Sequence, residues 1–388
     1  MNILFYITNY PGYGGIEKIT NILSDYLFQQ GHNIHILSFT TNCNVSNKLM
    51  SLNAKVTFMP DKNNFLSEIN KSFLSIFLEE NQFDKIIYQD CYSSIHNLLF
   101  SIHYPTKEKL IVVEHNSPIS QLIGYNNYWN NLCWFSIHDL PRKLLYYKKY
   151  NKIKSKSTQR HQLLLDTCHK YVILSDSFKK DMNFLVGNKY DKKIISIPNP
   201  VTANSFQENA TVKKEKQILF VGRLVKDKGL DYLLQIWKEI EPKYLDWTLS
   251  ILGEGPLLPY LEENIQKLGL KQIRILGAKP DISIFYQKAS ILMMTSIFEG
   301  WPLVLFEAMN YKCVPIAFDS FASLKDIIDN NLNGFRIPPF DTNIYTKKIE
   351  YLLNNPTICS KMGLLAEKKS KQYTIDSIGK LWNTLLED

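Results

Sequence analysis

Residues 298–309 read Phe298-Glu-Gly-Trp-Pro-Leu-Val-Leu-Phe-Glu-Ala-Met309, and the architecture is read outward from them. The apolar run just before, 291–294, has the length of a buried strand. Gly300 suits a turn. Pro302 stands where a helix begins, a position proline tolerates because its missing N–H would have no partner there. Leu303, Val304, Leu305, Phe306, Ala308 and Met309 continue as a helix buried on most sides. Two carboxylates interrupt this apolar setting, Glu299 before the helix and Glu307 within it. Eight helical residues rise about 12 Å, and the turn shortens the separation. One acid can therefore meet each end of an extended ligand, and the unpaired amides of the helix start between them suit a phosphate. A sugar at one end, a diphosphate in the middle and a ribose at the other fit that spacing. A buried helix with a solvated acid at each end fits it too, and the rest of the chain decides.

At 388 residues the chain has room for two domains of ordinary size. Hydrophobic residues at 45% and charged residues at 21% make a globular balance. A chain this long buries sizeable cores without disulfides or metals. The six cysteines, Cys43, Cys91, Cys133, Cys168, Cys313 and Cys359, are scattered. No pair has zinc-ligand or redox-motif spacing, so reduced thiols in a cytosol are expected. Residues 1–7 lack the basic start and small-residue cleavage site of a signal peptide and read as a first strand. No apolar run approaches the ~20 residues that span a bilayer. A cytoplasmic location is therefore expected. The net charge of +8 favours an anionic partner without naming one.

The N-terminal half opens as strand, glycine loop, helix and strand. Residues 3–7 are strand-like, and the loop over 8–15 carries Gly12, Gly14 and Gly15. Residues 16–30 have helical spacing, Gly31 is a stop, and 33–39 form the next strand. This βαβ opening predicts a parallel sheet with ligands beyond the carboxyl ends of its strands. The loop lacks GxGxxG spacing and is not a dinucleotide fingerprint, yet it can bring amides close to an anion. Further strands are expected at 55–58, 85–88, 110–113, 171–174 and 194–197. His115, in Glu114-His115-Asn116, follows one of them, where this architecture places its chemistry. It can donate a hydrogen bond, carry a proton near neutral pH, or be merely structural. Residues 140–160 are the most basic segment, with Leu144, Leu145, Tyr146, Tyr147 and Tyr150 interleaved among eight lysines and arginines. That pattern suits an anionic membrane surface, or a long surface helix with a solvated basic face. No nucleic-acid motif accompanies it, so nucleic acid is not an expected partner. Pro198-Asn-Pro200 enforces extended backbone and marks the domain junction.

A second βα series starts at 217–221 and runs into Gly222-Arg223, with Lys228 five residues beyond the arginine. Two cations where a strand gives way to a helix can neutralise a diphosphate, arginine through its fork of donors and lysine as a point charge. Strands are expected at 247–252, 273–276 and 314–317. Gly253-Glu-Gly-Pro256 forms a tight turn after the first of these, and the turn over 277–279 follows the second. Residues from 341 onward read as helical throughout, and the last segment, 375–385, is expected to cross back onto the first domain.

The glycine loop, EHN, IPNP, VGRL with its lysine, GEGP and the Glu-x7-Glu of FEGWPLVLFEAM occur in one order. Together they resemble the retaining GT-B glycosyltransferases of the glycogen-synthase-like kind, group 1 or family 4. The likeness spans nearly the whole chain and is strongest over 217–309. It implies an α/β fold of two Rossmann-like domains facing across a cleft. Residues 1–200 would form the acceptor domain, 201–373 the donor domain, and 374–388 a helix returning to the first. It implies transfer of a sugar from a nucleotide-sugar, with a UDP-hexose or UDP-N-acetylhexosamine preferred, to a glycan or lipid-linked acceptor in bacterial surface polysaccharide or glycolipid synthesis. Catalytic roles fall on His115, Arg223, Lys228 and Glu299. His115 would sit over the donor sugar and Glu299 would meet its hydroxyls. Glu307 would accept hydrogen bonds from the ribose. The amides near Leu303 and Val304, with Arg223 and Lys228, would face the diphosphate, and Gly14 and Gly15 would close against it. Gly222, Gly253 and Gly300 would line the donor, and Ala278, in the turn over 277–279, the base.

One departure stands out. Relatives often carry a Gly-Gly loop after the strand matching 314–317, whereas this chain has Asp319-Ser-Phe-Ala-Ser323. The Ser320 or Ser323 hydroxyls are therefore expected on the phosphate side. No Asp-x-Asp motif follows a strand near the proposed diphosphate site, so no divalent ion and no other cofactor is expected. A UDP-sugar epimerase and a non-catalytic sugar-nucleotide-binding protein are the competing readings.

Overall fold

The computed structural model describes every residue except 13, 41–50, 52, 94, 103–106, 130–139, 202–213 and 280. Cys43, Cys133 and most of the polar stretch after Pro200 lie outside the described residues. The chain divides into two compact units. The first holds residues 1–122, 131–200 and 375–388; the second holds 123–130 and 201–374.

The first unit runs β1 (Asn2–Asn9), α1 (Gly15–Gln29), β2 (Asn33–Thr40), β3 (Ala54–Phe58), α2 (Glu68–Asn81), β4 (Lys85–Tyr88), α3 (His96–Ser101) and β5 (Leu110–Glu114). It continues through α4 (Ser120–Trp129), whose later part is counted with the second unit, α5 (Leu140–Thr167), β6 (Lys170–Ile173), α6 (Phe178–Val186) and β7 (Ile194–Ser196). All seven strands are parallel, in the order β3-β2-β1-β4-β5-β6-β7. Their central residues are buried on both faces, which explains why β1, β2 and β5 read as continuous apolar runs rather than alternating ones.

The second unit repeats the scheme. It runs β8 (Gln217–Val221), α7 (Leu230–Ile240), β9 (Thr248–Leu252), α8 (Leu258–Leu268), β10 (Ile273–Gly277), α9 (Ser283–Lys288), β11 (Ile291–Met294) and α10 (Leu303–Asn310). Then come β12 (Val314–Phe318), α11 (Leu324–Ile327), β13 (Phe335–Ile337), α12 (Thr342–Asn354) and α13 (Pro356–Ser370). Its parallel sheet has the order β10-β9-β8-β11-β12-β13. Strand β13 was not expected from sequence; three residues carry too little pattern, and register with β12 alone defines it. The core packs Trp237, Leu233 and Ile240 of α7 and Tyr345 and Ile349 of α12 against the sheet.

The last helix, α14 (Ile375–Glu387), belongs to the first unit. Its Gly379 lies so close to Tyr26 of α1 that an added Cβ would sit 2.3 Å from the ring. Lys170 pairs with Asp388 at 2.8 Å in the same region.

In both sheets the strand order reverses between the first and fourth strands of the unit, and this doubly wound order places ligand crevices at the carboxyl ends of those strands. In the second unit these are β8 and β11.

Candidate active site

The β8 and β11 loops of the second unit carry most of the expected residues. After β8, Gly222 donates its N–H to Leu252 O at 3.0 Å and Leu224 donates to Glu254 O at 2.8 Å, which laces the VGRL segment to the GEGP turn. Gly253 has φ +143°, and a Cβ there would lie 1.9 Å from Gly222 O, so no other residue fits that crossing. Gly229 has φ +64°, and a Cβ there would lie 2.1 Å from Thr295 O. The turn carrying Lys228 is thus pressed directly onto the end of β11.

Lys228 and Glu299 meet. The lysine Nζ donates to Glu299 Oε1 at 2.5 Å, and Ser296 Oγ donates to the same oxygen at 2.7 Å. Both partners are mostly buried, with side chains 22% and 15% exposed. The expectation gave the lysine to a diphosphate and the acid to a sugar; the structure joins them into one cation–carboxylate unit. One of three ammonium donors is committed, leaving two for another anion. Arg223 differs, being exposed with no hydrogen bond or ion pair of its guanidinium among the described residues.

Pro302 is the N-cap of α10, one place before the helix it was expected to begin, and caps it with no side chain. The amides of Leu303 and Val304 at the helix start therefore have no intrahelical acceptor. Behind the loop, Trp301 stacks on Phe306 with centroids 5.1 Å apart, and both pack against Tyr373. Glu307 receives a hydrogen bond from the Tyr286 hydroxyl of α9 at 3.0 Å. Tyr286 is fully buried, and burial together with the Glu307 carboxylate pushes its phenol well above the ordinary range, so it acts only as a neutral donor. Sequence reasoning missed Tyr286, because nothing in residues 283–288 marks a tyrosine whose partner lies twenty-one positions later.

The turn after β10 is tied to the GEGP turn. The exposed Ala278 gives its N–H to Glu254 Oε1 at 3.3 Å, so that amide is already engaged within the protein. Ser320 and Ser323, expected on the phosphate side, use their hydroxyl protons elsewhere. Ser320 Oγ donates to Ser296 O at 3.0 Å, and Ser323 Oγ donates to Gly300 O at 2.5 Å. A hydroxyl has one proton to give, so these two are not phosphate donors in this arrangement.

The remaining expected residues lie in the first unit. Gly14 is the N-cap of α1 and Gly15 its first residue. The Glu17 carboxylate folds over this loop, and a Cβ on Gly14 would lie 2.2 Å from Glu17 Oε2. The loop as it stands presents a carboxylate, and an anion reaches its amides only after that side chain swings away. His115 follows β5, and its Nε2–H donates to Gln89 Oε1 at 2.5 Å. Burial pushes the imidazole down to about 4, opposed by the neighbouring Glu114. It is therefore neutral near pH 7, which removes the proton-carrying role that sequence left open.

Glu114 is not at a free strand end; it closes β5 and is fully buried. His161 Nε2 at 3.0 Å and the Tyr171 hydroxyl at 2.8 Å bond its Oε2. Burial raises its pKa, but those bonds and the charges of His161 and Arg160 outweigh it and hold the group below its ordinary value. Arg160, the last residue of the basic segment read as either a membrane-facing or a solvated face, instead stacks over the Tyr92 ring at 4.2 Å. Among the described residues no group of three or more His, Cys, Asp or Glu side chains could hold a metal ion. No described helix is long and apolar enough to cross a membrane.

Residues 201–369 match the family model of glycosyl transferases group 1. That segment of the second unit is a group 1 glycosyl transferase domain. The chain is 28% identical to an uncharacterized glycosyltransferase of Haemophilus influenzae over 98% of this chain and 99% of that one. It is 26% identical to the GalNAc-alpha-(1->4)-GalNAc-alpha-(1->3)-diNAcBac-PP-undecaprenol alpha-1,4-N-acetyl-D-galactosaminyltransferase of Campylobacter jejuni, over 52% of this chain and 56% of that one. Its fold matches the crystal structure of Anabaena Alr3699/HepE in complex with UDP with a TM-score of 0.76 and 14% identity, covering 100% of both chains. Its fold is therefore GT-B, with two α/β Rossmann-like units.

Proposed function

We propose that this chain moves a hexose or N-acetylhexosamine from UDP to a glycan or lipid-linked acceptor, with retention of anomeric configuration, in bacterial surface polysaccharide or glycolipid synthesis. The observation that carries the reading is the set of groups at the β8/β11 switch point: the unpaired Arg223 fork, the Lys228–Glu299 unit and the uncapped start of α10. Cations and helix amides fixed beforehand stabilise a departing diphosphate. In this reading Gly222, Gly253 and Gly300 let backbone approach the donor, Leu303 and Val304 offer amides to the diphosphate, and Ala278 borders the base. Glu307, held by Tyr286, accepts from the ribose, while Glu299 meets the sugar. His115 contributes as a neutral hydrogen-bonding group, and Gly14 and Gly15 as a close-approach loop. Arg223 and Lys228 supply the charge without a divalent ion. The N-acetylgalactosaminyl transfer in the Campylobacter relative's name and the UDP in the Anabaena complex support the donor class.

The test is nucleoside diphosphate release from UDP-, GDP- and ADP-sugars, with chelator, against candidate oligosaccharide acceptors, with the product anomer read by NMR. Release from one UDP-sugar that depends on acceptor, survives chelation and gives an α-linked product supports the proposal. Conversion of a UDP-sugar to its epimer without acceptor, or binding without turnover, refutes it.

We also propose that α5 rests on an anionic membrane surface on the cytoplasmic side. Leu144, Leu145 and Tyr147 are each more than half exposed beside the exposed Lys148, Lys149 and Lys152, and exposed apolar groups among cations suit such an interface. Sedimentation with phosphatidylglycerol vesicles at low salt, lost in a Lys148→Glu, Lys152→Glu variant, is the expected result. Failure of the wild type to sediment refutes it.

A further inference from the structure

We propose that Ser320 and Ser323 are positioning residues that set the aim of Glu299, so that the loop expected to touch phosphate instead fixes the sugar-side carboxylate. The inference rests on the proposed role of Glu299. Residues 296–300 form no helix or strand, so nothing regular sets their path. Their two ends are tied instead to neighbouring loops. On one side Ile297 N donates to Asp227 O at 2.8 Å, and Thr295 Oγ1 donates to Lys228 O at 2.9 Å. On the other, Ser320 bonds Ser296 O and Ser323 bonds Gly300 O. The two serine bonds bracket Glu299, and the Ser296 hydroxyl and Lys228 ammonium then hold its carboxylate.

Ser323 is fully buried and Gly300 is buried, so the Gly300 carbonyl loses this partner with no water to replace it when the hydroxyl is removed. A site group must be held within about 0.5 Å of its productive place. A glycine at either position would leave the carbonyl without that bond. Asp319 itself is held from outside by Arg336 at 3.3 Å, which fixes the start of the serine loop.

The experiment compares Ser320→Ala, Ser323→Ala, the double variant and Ser320→Thr in the full-length protein. It measures turnover of the UDP-sugar selected above and affinity for UDP itself. Glu299 faces the sugar, and Lys228, whose backbone is held by Thr295 Oγ1 and Val225 O whichever way Glu299 points, keeps its two other donors for the diphosphate. UDP affinity should therefore stay within about two-fold while kcat falls roughly ten-fold for each single variant and towards a hundred-fold for the double, the range a misplacement near 1 Å produces. Ser320→Thr, which keeps the hydroxyl at a half-buried site, should restore turnover. Unchanged kcat in both alanine variants overturns the proposal, as does a fall in UDP affinity that parallels the fall in kcat, which marks general damage to the unit. Glu299→Ala runs alongside. If it is inactive while the serine variants are normal, only the positioning proposal fails. If it is itself normal, the role of Glu299 fails.

Discussion

Lys228 and Glu299 should behave as one group rather than two. Removing a single preorganised donor of this kind costs about 10²–10³ in rate, or roughly 2.7–4 kcal/mol. If lysine and glutamate acted independently, Lys228→Ala with Glu299→Ala would cost about 10⁴–10⁶ by simple multiplication of those two losses. The structure argues against independence. The two side chains share one 2.5 Å contact and are mostly buried, so deleting either removes the partner that orients the other. The double variant should therefore fall only about 10²–10³, close to the worse single variant, a coupling near 3–4 kcal/mol. Stability follows the same logic. Fully buried pairs lose 3–5 kcal/mol on truncation of one member and exposed pairs lose 0–1, so each single variant should lose about 2 kcal/mol at this intermediate burial. The assay is steady-state release of nucleoside diphosphate by the wild type and three variants, with second-unit unfolding followed in parallel. Multiplicative loss in the double variant refutes the single-unit account.

Three other outcomes follow from the geometry. Tyr286→Phe removes the donor to Glu307 and should raise KM for the donor about ten- to hundred-fold with little change in kcat, since one hydrogen bond to a charged group contributes about 1.5–3 kcal/mol; equal loss in kcat would contradict this. His115 has a folded pKa near 4, below the unfolded value, so its contribution to stability is complete above about pH 6.5 and is lost as pH falls towards 4. Denaturant titrations should show about 3 kcal/mol less pH-dependent loss between pH 7 and 4 in His115→Gln than in wild type, and an identical slope would overturn the assignment. Gly253→Ala forces a side chain into Gly222 O and should destabilise the second unit by more than about 2 kcal/mol, seen as an early unfolding step; a normal transition would contradict the close crossing.

Much of the fold was legible because its signals are local. Gly31 and the apolar runs at β1, β8 and β12 mark element ends and buried strands, and two βα series predict two parallel sheets. Strand β13 was not legible, because its three residues become a strand only through β12. The candidate site was legible as a set of residues near strand ends. Its wiring was not, since Lys228 with Glu299, Tyr286 with Glu307 and Ser323 with Gly300 are pairings that only the folded second unit creates. Glu17 over the glycine loop and Arg160 on Tyr92 show the same limit. A charged side chain reads as solvated until its packing partner is known.

The measurement that bears most directly on the central claim is a thermal-shift titration of UDP against wild type, Arg223→Ala and Glu307→Ala, with chelator present. Ligand that binds only the folded state raises apparent stability, by about 2.7 kcal/mol at a hundred times Kd. The account predicts a clear upward shift for wild type that shrinks in both variants, with GDP and ADP giving less. No shift for wild type with any nucleotide, or equal shifts in all three proteins, would contradict a nucleotide site at the β8/β11 switch point.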